Sequence, residues 1–288
     1  MIRKLLGIIH GSLLRFYDKL TAQECEVSVG DIILRRAEFD HCQFLLTTRK
    51  LDVSSYLSGR DRSFPYQNTI SRAVYGAAHK EEQGNRMFAT LIESYMANGY
   101  VKSSLLTVDK ECRLIDGNHR MGLNLHMGIE RINVRYLRRF SPFPRNLDTY
   151  LMMGISSFFM EEVYTEFCNI QKWLIKTGNT FCCTLKGEFE KGEISLLNDL
   201  RQSSNVLNVQ NVGGLEYRGG VLVQFAIDYP SYYVKGGRLY SRRAEDIERL
   251  LHQRKKLYGL DVDIKLSKNC IEGKEMWKTL NINRIREI

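Results

Sequence analysis

Leu105-Leu106-Thr107-Val108-Asp109-Lys110-Glu111-Cys112-Arg113-Leu114-Ile115-Asp116-Gly117-Asn118-His119-Arg120 is the stretch on which the fold turns. Its first four residues predict a strand, Asp109 to Cys112 a turn, and Arg113 to Ile115 the returning strand. Asp116-Gly117 comes at once and opens a helix through Met121, Leu123, Leu125 and Met127, stopped by Gly128. Ile132 to Leu137 then alternates as another strand. Upstream, Met87, Phe88, Leu91, Ile92, Tyr95 and Met96 keep helical spacing from Asn85 to an Asn98-Gly99 stop. Helix, hairpin, motif, helix and strand form one compact unit.

Asp-Gly-x-His-Arg between a strand and a helix suits anion binding. Glycine lacks a Cβ, so the chain can turn sharply there and backbone can approach a ligand closely. The next residues occupy a first helical turn, where free N–H groups and the positive dipole end favour negative charge. His119 and Arg120 add donors, and the guanidinium fork matches phosphate oxygens. Asp116 could orient a cation or a hydroxyl. The five letters alone better fit a strand-end turn with a capped surface histidine and a solvated arginine. The flanks decide between the two.

Ser94-Tyr95-Met96-Ala97-Asn98-Gly99, Leu105 to Asp109, Leu114 to Arg120 and Gly128 to Val134 together resemble the ParB/sulfiredoxin-like domain. The likeness spans about residues 26 to 140 and is strongest over 86 to 137. It implies an α+β fold and a nucleotide, ATP or ADP in the first place and CTP as the other choice. It places the phosphates on Gly117, Asn118, His119 and Arg120. Sulfiredoxins carry a reactive cysteine where Asn118 stands, so sulfinic-acid repair is not expected. The chromosome-partitioning members have Gly-Glu-Arg-Arg in place of Gly117 to Arg120, followed by a helix-turn-helix for which no clear pattern appears after Pro144. The Asp-Gly-x-His-Arg form is most similar to the branch with free-serine kinases. Phosphoryl transfer usually needs Mg2+, with Asp116 here as metal holder or proton acceptor. That branch also implies a base glutamate near the end of the first strand. Glu38 is the nearest candidate and Asp40 the second.

The rest of the chain fits around this unit. Its 288 residues set a prior of about two domains. We expect a helix over 1–22, a nucleotide-binding domain over 23–144 with an insertion at 47–85, and a mixed α+β domain over 145–288. The net charge of +9 favours an anionic partner of some kind. The 7 cysteines include no Cys-x-x-Cys pair, which argues against a zinc site or a disulfide framework and for a cytoplasmic location. No run of 18 apolar residues spans a membrane. Glu26 to Leu34 reads as a strand, Arg36 to Leu46 as a helix and 147–177 as mainly helical. Strands are expected at 180–185, 221–227 and 260–266, helices at 244–258 and at the end, and a β-meander over 215–243. Arg60, Arg62 and Arg72 in the insertion could close over a substrate or simply be solvated.

Ile2, Leu5, Leu6, Ile9, Leu13, Phe16, Tyr17 and Leu20 share one helical face, with Arg3, Lys4, Arg15 and Lys19 mostly elsewhere. His10 and Arg15 break the apolar run, and no small-x-small site comes after it, so a cleaved signal is disfavoured. Two readings stay open: a helix docked on its own domain, or a basic amphipathic helix on a membrane surface. Function likewise divides in two. One reading is a kinase-like, nucleotide-dependent phosphotransferase acting on a small hydroxyl compound. The other is a nucleotide-binding or DNA-associated module without turnover. For DNA, the support is a basic strip over 235–256 with Tyr232, Tyr233 and Tyr240 interleaved.

Overall fold

The computed structural model describes residues 16–33, 39, 41–75, 81–100, 105–140, 148–176, 181–187, 192–203, 206–211, 220–227 and 230–285. Helices and strands mix in an α+β arrangement built on two sheets. β1 (Gln23–Ser28) runs antiparallel to β4 (Arg131–Tyr136), pairing Gln23 with Tyr136 through Ser28 with Arg131. β2 (Leu106–Val108) lies parallel to β4 and antiparallel to β3 (Leu114–Asp116). The expected hairpin, helix and strand around the motif are therefore all in place.

The first strand is shorter than its β-branched sequence suggests. Ser28 Oγ accepts from Gly30 N at 3.1 Å, and the Asp31 carboxylate reaches back to Ser28 N at 3.2 Å. This reciprocal cap turns Val29–Ile33 into a short helix, α1, in place of the expected strand. The next helix, α2 (His41–Leu57), runs through the start of the expected insertion. It is a core helix: Phe44, Leu46 and Val53 are buried, and so are Thr47, Thr48, Arg49 and Asp52. Its polar residues on every side hide the amphipathic stripe that would have revealed it. The remainder of the expected insertion holds α3 (Pro65–Tyr75) and the start of α4 (Glu81–Asn98).

α5 (Asn118–His126) packs against α2 at Gly122. A Cβ at Gly122 would stand 2.9 Å from the Arg49 backbone carbon, so this close approach requires glycine.

The second half begins with α6 (Asp148–Met152) and α7 (Ser157–Lys176), which packs against α2. The second sheet has the order β10-β5-β7-β6, all antiparallel, from Val262–Leu266, Phe181–Gly187, Gly220–Ile227 and Val206–Asn211. α8 (Gly192–Gln202) joins β5 to β6, α9 (Arg242–Leu257) precedes β10, and α10 (Cys270–Ile285) comes after it.

The hairpin of β8 (Tyr232–Lys235) and β9 (Arg238–Ser241) departs from the expected meander with β7. It extends the first sheet, where β9 pairs parallel to β1 at Glu26 and Arg238. Buried polar contacts fix that junction. Tyr136 Oη donates to Tyr232 O at 2.8 Å, and the Tyr232 hydroxyl donates to Asp31. One apolar core includes Val27, Val108, Met121 and Val134 together with Cys183, Val223, Leu239 and Leu266. Hydrogen bonding and core thus both cross residue 144.

Candidate functional site

Gly117 is the pivot of the β3–α5 junction. It is the N-cap of α5 with φ 100° and ψ 24°, in the left-handed region that side chains disfavour. A Cβ there would lie 2.3 Å from Leu106 Cδ2 and 3.2 Å from an Arg120 guanidinium nitrogen. Backbone, not side chain, therefore forms the junction. Gly117 also offers no side-chain acceptor to the first turn of α5, which leaves that turn uncapped from its own N-cap residue. Asn118 Oδ1 is buried at the same place without a hydrogen-bond partner among the described residues.

Arg120 is anchored beside this turn. Its Nη1 donates to Leu105 O at 2.9 Å, and its Nη2 stands 3.5 Å from Asp116 Oδ2. The Asp116 side chain is 76% exposed, against 21% for Arg120. The cation is thus held by the residue just before β2, while the carboxylate stays open to solvent. The arrangement presents a helix N-terminus, a fixed guanidinium and an accessible carboxylate within one turn of chain.

His119 points another way. Its Nε2 lies 2.6 Å from Gln67 Oε1, and its ring meets Phe88 edge-on at 4.5 Å. Burial, helped by the nearby Arg49 and Arg120 charges, pushes its pKa down to about 3. The imidazole is neutral near pH 7 and ties α5 to α3 and α4. Gln67 extends the tie by donating from Nε2 to Asn85 Oδ1 at 3.1 Å. Asp52 completes it by capping α3, with Tyr66 N and Gln67 N donating to its carboxylate at 3.1 and 2.9 Å. Burial raises the Asp52 pKa to about 6 against the lowering effect of Arg49. Sequence reasoning missed Asp52 and Gln67, which lie 67 and 52 positions before His119 and belong to no local pattern.

Glu38 and Asp40, the expected base and its substitute, lie outside the described residues. The insertion arginines do not gather at the motif. Arg72 makes a two-point ion pair with Glu81 at 2.7 and 2.9 Å, Arg62 lies over the Tyr56 ring at 5.5 Å, and Arg60 is exposed. A cleft of 610 Å³ opens elsewhere, lined by Glu26, Arg131, Lys186, Arg238, Lys265 and Glu275 among others; none of residues 116–120 lines it.

In the basic strip, Tyr233 and Tyr240 stack at 5.5 Å across the β8–β9 hairpin, and Arg242 lies 5.1 Å from the Tyr233 ring. Acids partly neutralise it: Arg249 pairs with Asp246 at 3.5 Å and Arg254 with Asp199 at 3.7 Å.

No protein-family model matches the chain, and no curated protein matches it. Among solved structures it is similar to a Pnob8-like ParB-N domain in a C2221 crystal form, at 13% identity and a TM-score of 0.22. That match covers 82% of this chain and 62% of the other, so this chain spans less than two thirds of the ParB-N structure. A likeness this slight places no residue. No helix among the described residues is long and apolar enough to cross a membrane.

Proposed function

We propose that this protein is a nucleotide-binding module whose phosphate site is the first turn of α5. Gly117 carries the reading. It is a left-handed N-cap with no room for a Cβ and no capping side chain, so backbone and the positive dipole end of α5 can approach an anion closely there. The anchored Arg120 guanidinium supports it. A phosphate group fits these donors. Mg2+ usually binds through one or two carboxylates together with nucleotide phosphates. Among the described residues no three His, Cys, Asp or Glu side chains gather for a metal. Asp116 alone would hold the ion, jointly with a bound nucleotide, and Mg2+ would then neutralise phosphate charge.

Phosphoryl transfer to a small hydroxyl compound is the second reading, favoured by the exposure of Asp116 beside the cradle. The acceptor oxygen would bond to the terminal phosphorus, its proton passing to a carboxylate while the nucleoside diphosphate leaves. The Asp116–Arg120 ion pair favours the module instead, since it gives the carboxylate a positioning role. DNA association through the 235–256 strip is a separate component of the module reading. It would show affinity falling steeply with added salt.

A thermal-shift panel of ATP, ADP, CTP and GTP, with and without Mg2+, tests the proposal. One nucleotide should raise the midpoint in a concentration-dependent way, by mass action. No shift with any of them overturns it. Nucleotide consumption in the presence of hydroxyl acceptors separates transfer from binding alone.

A further inference from the structure

The helical turn at residues 16–21 shows which side of its helix faces the protein. Asp18 is pinned to the body by Arg139, whose Nε and Nη2 donate to its carboxylate at 2.7 and 2.5 Å. At about 100° per residue, Asp18 lies about 160° round the helix from Phe16 and Leu20 and about 100° from Tyr17. Phe16 and Leu20 accordingly face away from the protein, 62% and 68% exposed, and Tyr17 on the flank beside them is 44% exposed. A helix docked on its own domain would bury them.

Three spaced apolar side chains turned to solvent need an occupant, and the charge of the segment identifies one. Residues 1–21 contain Arg3, Lys4, Arg15 and Lys19 against a single acid, Asp18, which Arg139 already neutralises. In the sequence the same spacing continues upstream through Leu13, Ile9, Leu6, Leu5 and Ile2. Nearby, where β4 leads out of the sheet, Arg138 is exposed, and Lys110 Nζ lies 3.6 Å over the half-exposed ring of Phe140. Apolar residues on one side and cations around them match a bilayer interface with anionic headgroups.

We infer that the face carrying Phe16, Tyr17 and Leu20 docks this protein onto an anionic phospholipid surface, with the Asp18–Arg139 pair fixing the body to the docked helix. The inference is independent of the nucleotide site.

Co-sedimentation of the full chain with vesicles tests it, using phosphatidylcholine alone and phosphatidylcholine mixed with phosphatidylglycerol. The protein should bind the mixed vesicles and not the neutral ones. The double variant Phe16→Ser/Leu20→Ser should bind about tenfold or more weakly, because it removes two apolar anchors. Both positions are exposed, so its thermal unfolding should match that of the parent. Lys19→Glu should weaken binding to mixed vesicles, and added salt should do the same. Absence of binding to mixed vesicles overturns the inference, as does equal binding by the double variant. If instead the parent self-associates and the double variant is monomeric, the face belongs to a second copy and the inference fails.

Discussion

Two aspartates stand at helix starts in this protein and meet opposite fates. Asp31, in the first turn of α1, is 1% exposed and accepts from Ser28 N and the Tyr232 hydroxyl. Burial raises its pKa despite those lowering hydrogen bonds. Asp116, just before α5, is open to solvent with one ion-pair partner at 3.5 Å. The first carboxylate is committed to the fold, joining β1 to a hairpin some two hundred residues later. The second is available. A polar group held on all sides stabilises one structure; one held on a single side can meet a ligand.

The largest expected effect lies at the pivot beside the available carboxylate. Gly117→Val adds a Cβ where Leu106 already sits and forces a branched residue into a positive φ. Urea unfolding should show a loss of about 2–4 kcal/mol, the sum of backbone strain and overpacking. A neutral result would mean that the junction relaxes freely. Next comes Tyr232→Phe, which leaves a buried carboxylate oxygen without its donor and should cost about 1–3 kcal/mol in the same assay. Asp116→Asn should change stability by less than about 1 kcal/mol, as expected of an exposed pair. If it costs as much as Tyr232→Phe, the contrast between the two aspartates collapses.

Acid titration sharpens the contrast with a third group. His119 has a folded pKa of about 3, below the ordinary value of 6.5. The native state therefore binds its proton less well than the unfolded chain. Its contribution is complete above pH 6.5 and is lost as pH falls from there towards 3. Asp52 works in the opposite sense. Its folded pKa of about 6 exceeds the ordinary 3.8, so its contribution is present at low pH and is lost as pH rises from about 4 to about 6. His119→Gln should flatten the acid-side fall in stability, and Asp52→Asn should remove the opposing trend. The smallest effect belongs to Arg72→Ala, which removes a cation 65% exposed from its pair with Glu81 and should leave both the urea midpoint and nucleotide affinity nearly unchanged. Reduced affinity would restore Arg72 to the site.

The motif unit is legible because its signals are local. A hairpin turn, a glycine at a strand–helix junction and an Asn98-Gly99 stop each act within a few residues. α1 reads as strand because Ile32 and Ile33 are β-branched, although Ser28-x-x-Asp31 is a readable cap. α2 reads as part of an insertion because Thr47, Thr48, Arg49 and Asp52 are buried and polar. The place of β8 and β9 in the first sheet, and the turning of His119 onto Gln67, depend on contacts across the chain that no short pattern encodes. Gly117 and Arg120 can be singled out from sequence; the inward turn of His119 cannot.

In the proposed site, phosphates meet the first turn of α5. Amide chemical shifts of isotope-labelled protein, titrated with ATP, ADP or CTP, read that turn directly. The largest saturable changes should fall at Gly117, Asn118, His119 and Arg120, with binding weakened in Arg120→Ala by about 1.5–3 kcal/mol. Saturable shifts confined to other residues, or unchanged affinity in Arg120→Ala, would contradict it.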